Sequence, residues 1–261
     1  MSDSQSQQEI VGKKVFFLYP SASVQNLIIT ELVQQEYEVY IIKDYARLAQ
    51  ALKKYTDSIL FINIDDGMPA QEWVEWVGKV MSAYPNVKIG IFSANSDETL
   101  HDKYVNELHI QCGFMTSKFD LAKNTGKILE MLNVLNVKGR RKFIRATTEG
   151  ETTATINMPH NNGFINGTIK DISVVGISCV FNAQDVEIAK NTLFKDIQIR
   201  LQTMLIKVEA IVFGSRHDGD DKIFVFIFTQ RIDPDVRVKI RKYIQQSLQH
   251  KMDHEISSSN T

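Results

Sequence analysis

The sequence contains little cysteine and no excess of charge of either sign. Its two cysteines, Cys112 and Cys179, are far apart in the chain, and both lie in apolar runs that resemble strands. This placement predicts two buried free thiols rather than a disulfide or a metal site. The 30 basic and 31 acidic residues give a formal net charge of −1, which excludes a polycationic protein that coats nucleic acid but allows a local basic patch.

Long apolar runs and enzyme motifs are also absent from the sequence. No run of about 18 apolar residues indicates a membrane span, and the polar first residues do not resemble a secretory signal, so we expect a cytoplasmic protein. The sequence has no GxSxG, Walker, GxGxxG, GGDEF or EAL motif. The six histidines lack the spacing of metal ligands, and His250 and His254 are expected to be solvated. We therefore predict a protein that is not an enzyme and that carries no cofactor or metal.

The first part of the chain alternates strand-like apolar runs with segments of helical period. Residues 1–12 are rich in Ser and Gln and are predicted to be a disordered tail, and residues 13–135 are predicted to form an α/β interaction domain. The alternation predicts a parallel sheet that is covered on both faces, and Ser23 and Asp44 stand where helix N-caps belong. The predicted strands are 15–19, 38–42, 59–64, 88–92 and 110–115, and the predicted helices are 24–35, 45–55, 70–84, 97–107 and 120–135.

The pattern changes after Leu135. Residues 136–146 form a short basic linker, and residues 147–252 form a second predicted domain. Its strand-like runs alternate apolar and polar positions, which predicts a small antiparallel β-barrel or sandwich. The barrel is followed by an amphipathic C-terminal helix over 233–252, and residues 253–261 are predicted to be a disordered tail. The predicted barrel strands are 152–158, 164–173, 177–181, 197–201, 206–214 and 222–229.

The basic linker carries three arginines, Arg140, Arg141 and Arg145. The last two are the first and last residues of the motif RKFIR. Guanidinium groups bind phosphate oxygens bidentately, present a fork to guanine O6 and N7, and stack on base faces. Arginines on a flexible segment can therefore close over a nucleotide that lies on a rigid barrel. Taken alone, the stretch is more typical of a solvated linker.

A second motif, Asp171-Ile-Ser173-Val-Val-Gly176, stands at the end of a predicted strand. Asp171 can accept hydrogen bonds from N–H donors of a ligand, and Ser173 offers a hydroxyl to a ligand or to the backbone. Gly176 permits a tight turn or a close approach of the backbone. Taken alone, the motif is typical of a strand-ending turn. The combination of this motif with the upstream arginines, in a barrel-like pattern, indicates a ligand-binding site more specifically than either motif alone.

Together the two motifs resemble the PilZ family of cyclic di-GMP receptors, over residues 137 to about 252. The resemblance implies a β-barrel behind an arginine linker and implies cyclic di-GMP as the ligand. The order of a separate N-terminal domain and a PilZ barrel is similar to that of spirochaetal PlzA-type proteins. By this resemblance the ligand-binding residues are Arg140, Arg141 and Arg145 from the linker and Asp171, Ser173 and Gly176 from the barrel.

The N-terminal domain resembles the receiver domain of response regulators. Asp65 occupies the place of a phospho-acceptor, Ser93-Ala94 ends the fourth strand-like run, and Lys118 follows the fifth. The acidic pair that should end the first strand and hold magnesium is replaced by Tyr19-Pro20. We therefore expect a degenerate, non-phosphorylated domain in which Asp65 and Asp66 cap a helix or lie on the surface. A phospho-receiver with a β output domain is the disfavoured alternative.

These features predict a cyclic di-GMP effector whose interdomain arrangement changes on ligand binding and which regulates an unidentified protein or nucleic-acid partner. The alternative is a nucleic-acid-binding regulator with the dinucleotide as a modulator, whose binding would depend strongly on salt. Its phosphate contacts would come from basic residues of the linker and of the last helix: Lys138, Arg140, Arg141, Lys142, Arg145, Arg237, Lys239, Arg241 and Lys242.

Overall fold

A computed structural model of the chain describes residues 12–116, 120–148, 154–160, 163–183 and 186–258. The chain divides into two compact units, which we describe separately. Unit 1 comprises Met1–Lys142 together with Gln249–Thr261, and unit 2 comprises Phe143–Leu248. Residues 1–11 of the tail predicted over 1–12, and Lys118, lie outside the described residues.

Unit 1 contains a five-stranded parallel sheet with the order β2-β1-β3-β4-β5, which is the order of doubly wound flavodoxin-like folds. The predicted α/β class is confirmed. Its strands are β1 (Val15–Leu18), β2 (Val39–Ile42), β3 (Ile59–Asn63), β4 (Lys88–Ser93) and β5 (Phe114–Thr116). Its helices are α1 (a π-helical part, Val24–Ile29, and an α-helical part, Thr30–Gln34), α2 (Tyr45–Lys54), α3 (Ala70–Ala83), α4 (Glu98–Asp102, then π-helical Lys103–Glu107) and α5 (Leu121–Val134).

The sheet of unit 1 is buried on both faces, as expected for parallel strands between helices. All four residues of β1 are buried. Asp44 caps α2 by accepting a hydrogen bond from the Ala46 amide at 2.7 Å. The N-cap predicted at Ser23 is wrong, because Ser23 already has helical backbone angles and its side chain makes no capping bond.

The last strand of unit 1 begins later than the sequence predicts. Residues 111 and 112 form a turn and Gly113 has a φ of +74°, so the ladder with β4 starts only at Phe114. The apolar run that begins at Ile110 is buried nevertheless, because Ile110 and Cys112 pack inward from the turn. Apolar pattern alone does not distinguish a buried turn from a buried strand.

Unit 2 is a closed antiparallel barrel of six strands, with a short seventh strand beside β8. The ring runs β7-β8-β9-β12-β11-β10 and returns to β7. The predicted barrel is confirmed. The strands are β6 (Ala146–Thr147), β7 (Ala154–His160), β8 (Gly163–Ser173), β9 (Gly176–Phe181), β10 (Leu193–Leu201), β11 (Met204–Asp218) and β12 (Asp221–Phe228).

The C-terminal helix α6 (Pro234–Ser258) is longer than predicted. Ile240, Tyr243 and Ile244 belong to the core of the barrel unit. The disordered tail predicted from residue 253 is wrong for 253–258, which are helical, with Ile256 buried. The sequence analysis did not predict this helical end because its sequence is mostly polar. The helix end makes its contacts through isolated apolar residues and through charged side chains, and both are also found in solvated tails.

Both cysteines are buried and unpaired, as predicted. Burial raises the pKa of the Cys112 thiol to about 12, and burial also raises the pKa of the Cys179 thiol. These thiols therefore stay protonated at neutral pH and serve as small apolar core groups. Among the described residues, no helix is both long enough and apolar enough to cross a membrane.

Candidate functional site

The candidate site lies on the hairpin formed by β8 and β9, and a bulge in β8 positions its carboxylate. Ile169 pairs with Cys179, whereas Asp171 pairs with Ser178, so one extra residue is accommodated between these pairs. Ile169 and Ile172 both point into the core although they are three positions apart. Without the bulge, Asp171 would share the inward face of Ile169; with it, Asp171 faces outward and is half-buried.

Ser173 and Gly176 flank the loop of the same hairpin, and both stabilise its backbone conformation. The Ser173 hydroxyl donates to the Gly176 carbonyl at 3.2 Å, and it lies 3.4 Å from the Val175 amide. These bonds close the two-residue loop and leave Ser173 buried. A Cβ at Gly176 would lie 2.2 Å from the Phe226 carbonyl oxygen, so the residue allows β9 to approach β12 closely. Of the two roles expected for Gly176, the structure shows the close approach.

Ser178 is a site residue that the sequence analysis missed. It lies directly across the hairpin from Asp171, and its hydroxyl donates to Asp171 Oδ2. This bond fixes the orientation of the carboxylate and leaves Oδ1 available. A hairpin with a two-residue loop between 173 and 176 places residue 178 opposite residue 171. Counting residues outward from the loop would therefore have predicted the Ser178–Asp171 pair from the sequence.

Arg145 lies beside the carboxylate of Asp171. Its Nη1 is 3.6 Å from Asp171 Oδ1, and the two side chains are 48% and 21% exposed. Because the pair is partly solvated and longer than a hydrogen bond, it contributes only about 0–1 kcal/mol to folding. The Arg145 guanidinium therefore lies near the Asp171 carboxylate without forming a hydrogen bond to it.

Arg140 and Arg141 lie in the irregular, exposed stretch that ends unit 1, so they are described apart from the hairpin. Within unit 1 the start of the linker is held by Lys138, whose Nζ lies 4.6 Å from the centre of the Tyr37 ring. Gly12 also pairs with Lys138 through a backbone bridge. The structure thus brings four of the six predicted site residues together in unit 2 and places the other two in the preceding exposed stretch.

The hairpin and the basic linker combine complementary chemistry. Asp171 offers acceptor oxygens on a rigid strand, and Arg145 offers a forked donor with a permanent positive charge. This combination suits a ligand that carries both N–H donors and anionic oxygens. A simple anion would be repelled by Asp171, and a simple cation would be repelled by Arg145.

The receiver-like position Asp65 has a structural partner in unit 1. Its carboxylate accepts hydrogen bonds from the Ser93 hydroxyl at 2.6 Å and from the Ala94 amide at 2.5 Å. Asp66 accepts from the Gly67 amide at 2.8 Å. Neither carboxylate caps α3, because the residue before that helix is Pro69; that part of the expectation is wrong, whereas both residues do lie on the surface.

Two other groups of residues have clear positions in the structure, a tryptophan pair of α3 and the basic residues of α6. Trp73 is fully buried and packs edge-on against Trp76 with ring centres 5.4 Å apart, which is a core contact. The basic residues of α6 do not share one exposed face. Lys239 and Lys242 are exposed, whereas Arg237 and Arg241 are half-buried.

No protein-family model and no curated protein matches the chain. Among solved structures, the PilZ domain of YcgR from Escherichia coli with c-di-GMP is 16% identical, with a TM-score of 0.38; the match covers 45% of this chain and 98% of that one. The Bacillus subtilis inhibitor of motility MotI is 17% identical, with a TM-score of 0.36; the match covers 44% of this chain and about half (52%) of that one. A response regulator from Thermotoga maritima is 15% identical, with a TM-score of 0.41, over 47% of this chain and 99% of that one. We draw no functional conclusion from likenesses at this level.

We predict that Gly176→Ala destabilises unit 2 by about 1–3 kcal/mol, because the added methyl group would meet the Phe226 backbone. Urea-induced unfolding measures the loss. Gly214→Ala is the matched control, since a Cβ there meets nothing within 4 Å. Equal free energies of unfolding for the two variants would contradict the close-approach role.

Proposed function

We propose that this protein is a cyclic di-GMP effector of the PilZ type. The observation that carries the proposal is the Arg145 guanidinium facing the half-buried Asp171 carboxylate on the β8–β9 hairpin. The ligand-binding residues in this proposal are Arg140, Arg141, Arg145, Asp171, Ser173 and Gly176, supported by Ser178. The likeness to the spirochaetal PlzA type rests on the order of the two units alone, and it is part of the proposal.

The phosphates of the dinucleotide bind the arginines. A phosphate accepts charge-assisted, bidentate hydrogen bonds from a guanidinium, and such bonds are stronger than the partly solvated Arg145–Asp171 pair. The ligand can therefore recruit Arg145 at little energetic cost. Arg140 and Arg141 are exposed, so their side chains reach a ligand without unpacking a core.

A guanine base binds Asp171. The Watson–Crick edge of guanine carries N1–H and N2–H donors, and a carboxylate accepts two parallel hydrogen bonds of this kind. The Ser178 hydroxyl holds Oδ2 in place, which reduces the conformational entropy that the carboxylate loses on binding. Adenine has no N1–H donor, so the same carboxylate discriminates against it.

We predict that Arg141→Ala and Arg145→Ala each weaken cyclic di-GMP binding by about 2–4 kcal/mol in calorimetric titration, because each removes a charge-assisted contact. The melting temperature without ligand should change little, since both side chains are exposed. Arg216→Ala, an exposed arginine on β11, is the control and should bind as the wild type does. Normal binding by either linker variant would remove that residue from the site.

We predict that Asp171→Ala weakens cyclic di-GMP binding and reduces the preference over cyclic di-AMP, because a site that hydrogen-bonds one base edge rejects ligands that leave its polar groups unpaired. Parallel titrations of both dinucleotides against wild type and variant measure the preference. Equal affinity of the wild type for the two dinucleotides would refute guanine recognition by Asp171.

We further propose that the protein acts by a change in interdomain arrangement rather than by catalysis, with an unidentified protein or nucleic acid as its partner. Arg140 and Arg141 end one unit and Arg145 begins the next, so one ligand that binds all three must order the chain between them. Repulsion among the arginines disfavours that order in the absence of ligand, and two phosphates relieve it. A shift from 1:99 to 99:1 needs about 5.5 kcal/mol, which several guanidinium contacts supply.

Saturating cyclic di-GMP should slow amide hydrogen exchange across residues 136–146 and change the distance between fluorescent labels placed on the two units. The Arg141→Ala protein at the same ligand concentration is the control, because it retains the linker but lacks one contact. Unchanged exchange in the linker of the saturated wild type would eliminate this mechanism while leaving ligand binding intact.

A further inference from the structure

Strand β8 changes its partner along the edge that lies opposite β9. β7 pairs with β8 as far as Thr168, and β6 pairs with it at residues 171–172. Because β9 pairs with β8 beside both stretches, β6 and β7 share the other edge. Ile169 and Lys170 lie between the two ladders, at the bulge that turns Asp171 outward. The carbonyls of these two residues therefore need hydrogen-bond partners from outside the regular pairing.

Thr148 supplies both of these partners. Its amide donates to the Lys170 carbonyl at 2.9 Å, and its hydroxyl donates to the Ile169 carbonyl. Successive carbonyls of a regular strand point to opposite sides, and the bulge interrupts this alternation, so both reach one residue. Thr148 is only 2% exposed. Water therefore does not readily replace a lost bond, and a buried carbonyl without a partner is costly.

These two bonds hold the segment that carries Arg145. Arg145 directly precedes β6, which is only two residues long, and Thr148 directly follows it. Within β6, Ala146 is fully buried. On the other side of Arg145, Phe143 and Ile144 are only partly buried against the barrel core. The firmer anchor of the Arg145 backbone is therefore β6 with Thr148 at its end.

We propose that Thr148 is a positioning residue of the candidate site. By satisfying the Ile169 carbonyl, its hydroxyl holds β6 against the bulge and so keeps Arg145 beside Asp171. The inference deepens the proposed function and rests on it for the identity of the ligand. The same bulge turns Asp171 outward and receives Thr148, so the acceptor and the donor of the site share one backbone anchor.

A purely structural role for Thr148 makes different predictions. A buried hydroxyl that served only the core would lower the free energy of unfolding when removed, and folded protein would still bind ligand normally. A positioning role requires that the loss of affinity depends on Arg145. Two residues that act through one contact give effects that do not add, which a double-mutant cycle measures.

The test measures cyclic di-GMP affinity by calorimetric titration of full-length variants. Low ionic strength strengthens charge-assisted contacts and keeps weak binding measurable. Thr148→Val keeps the shape of the side chain but lacks the hydroxyl, and it should bind about tenfold more weakly than the wild type. Thr148→Ser keeps the hydroxyl and should bind within about twofold of the wild type. In an Arg145→Ala background, Thr148→Val should change the affinity by less than about twofold, because the residue through which it acts is gone.

Thr125→Val is the matched control for these titrations. Thr125 is another buried threonine whose hydroxyl donates to a backbone carbonyl, that of Leu121 at 2.8 Å, but it lies in α5 of unit 1. This variant should bind as the wild type does. It shows what the loss of a buried threonine hydroxyl does when Arg145 is not held by it.

Amide hydrogen exchange without ligand tests the structural step separately. The protection of the residue 148 amide should fall about tenfold in Thr148→Val, whereas the amides of β7 should keep theirs, because the opening is local. Thr148→Ala leaves room for a water molecule at the Ile169 carbonyl. It replaces Thr148→Val if the latter does not fold, and its affinity and protection should change in the same direction.

Four results would each overturn the proposal. They are wild-type affinity in Thr148→Val, an equal loss of affinity in Thr148→Ser, a loss that persists in full in the Arg145→Ala background, and unchanged protection at residue 148. If the wild type does not bind cyclic di-GMP, the proposed function fails. The exchange measurement then still decides whether the Thr148 hydroxyl holds the segment that carries Arg145.

Discussion

The close approach between Gly176 and the Phe226 backbone is the constraint on which unit 2 depends. It lets β9 pair with β12, and this pairing closes the ring of strands. β9 is also the second strand of the hairpin that carries Asp171. The contact that completes the core therefore also determines where the candidate site stands on the barrel surface, so the stability of the fold and the geometry of the site have a common origin.

The candidate site combines a rigid half with an adaptable half. Asp171 is fixed by a bulge, by a cross-strand hydroxyl and by two paired strands, whereas the three arginines lie in an irregular exposed stretch. In the proposed function, the rigid half selects the ligand, because its acceptors cannot rearrange to suit another base. In the same proposal, binding energy from the linker arginines is partly spent on ordering the chain, and a downstream partner senses that ordering.

The sequence predicts the two folds well because each depends on a periodic apolar pattern. Alternation of strands and helices indicated the parallel sheet, and the switch to period two after Leu135 indicated the barrel. Ser178 was missed because a serine in an apolar strand carries no signal until the hairpin register is known. The helical end near Ile256 was missed because its charged partners, Arg47 and Lys54, are distant in sequence. The positions of Arg140 and Arg141 relative to the hairpin stay a prediction.

The bulge in β8 also determines which segment of the hairpin could be transferred to another protein with its carboxylate still facing outward. The motif from Asp171 to Gly176 is continuous in the sequence, yet its carboxylate faces outward only because one extra residue precedes it. A graft onto a regular hairpin would turn the aspartate into the core of the host. The smallest transferable part of the hairpin is therefore residues 169–178, including the bulge and the serine that orients the carboxylate, and a biosensor built from this barrel would have to retain all of it together with Arg145.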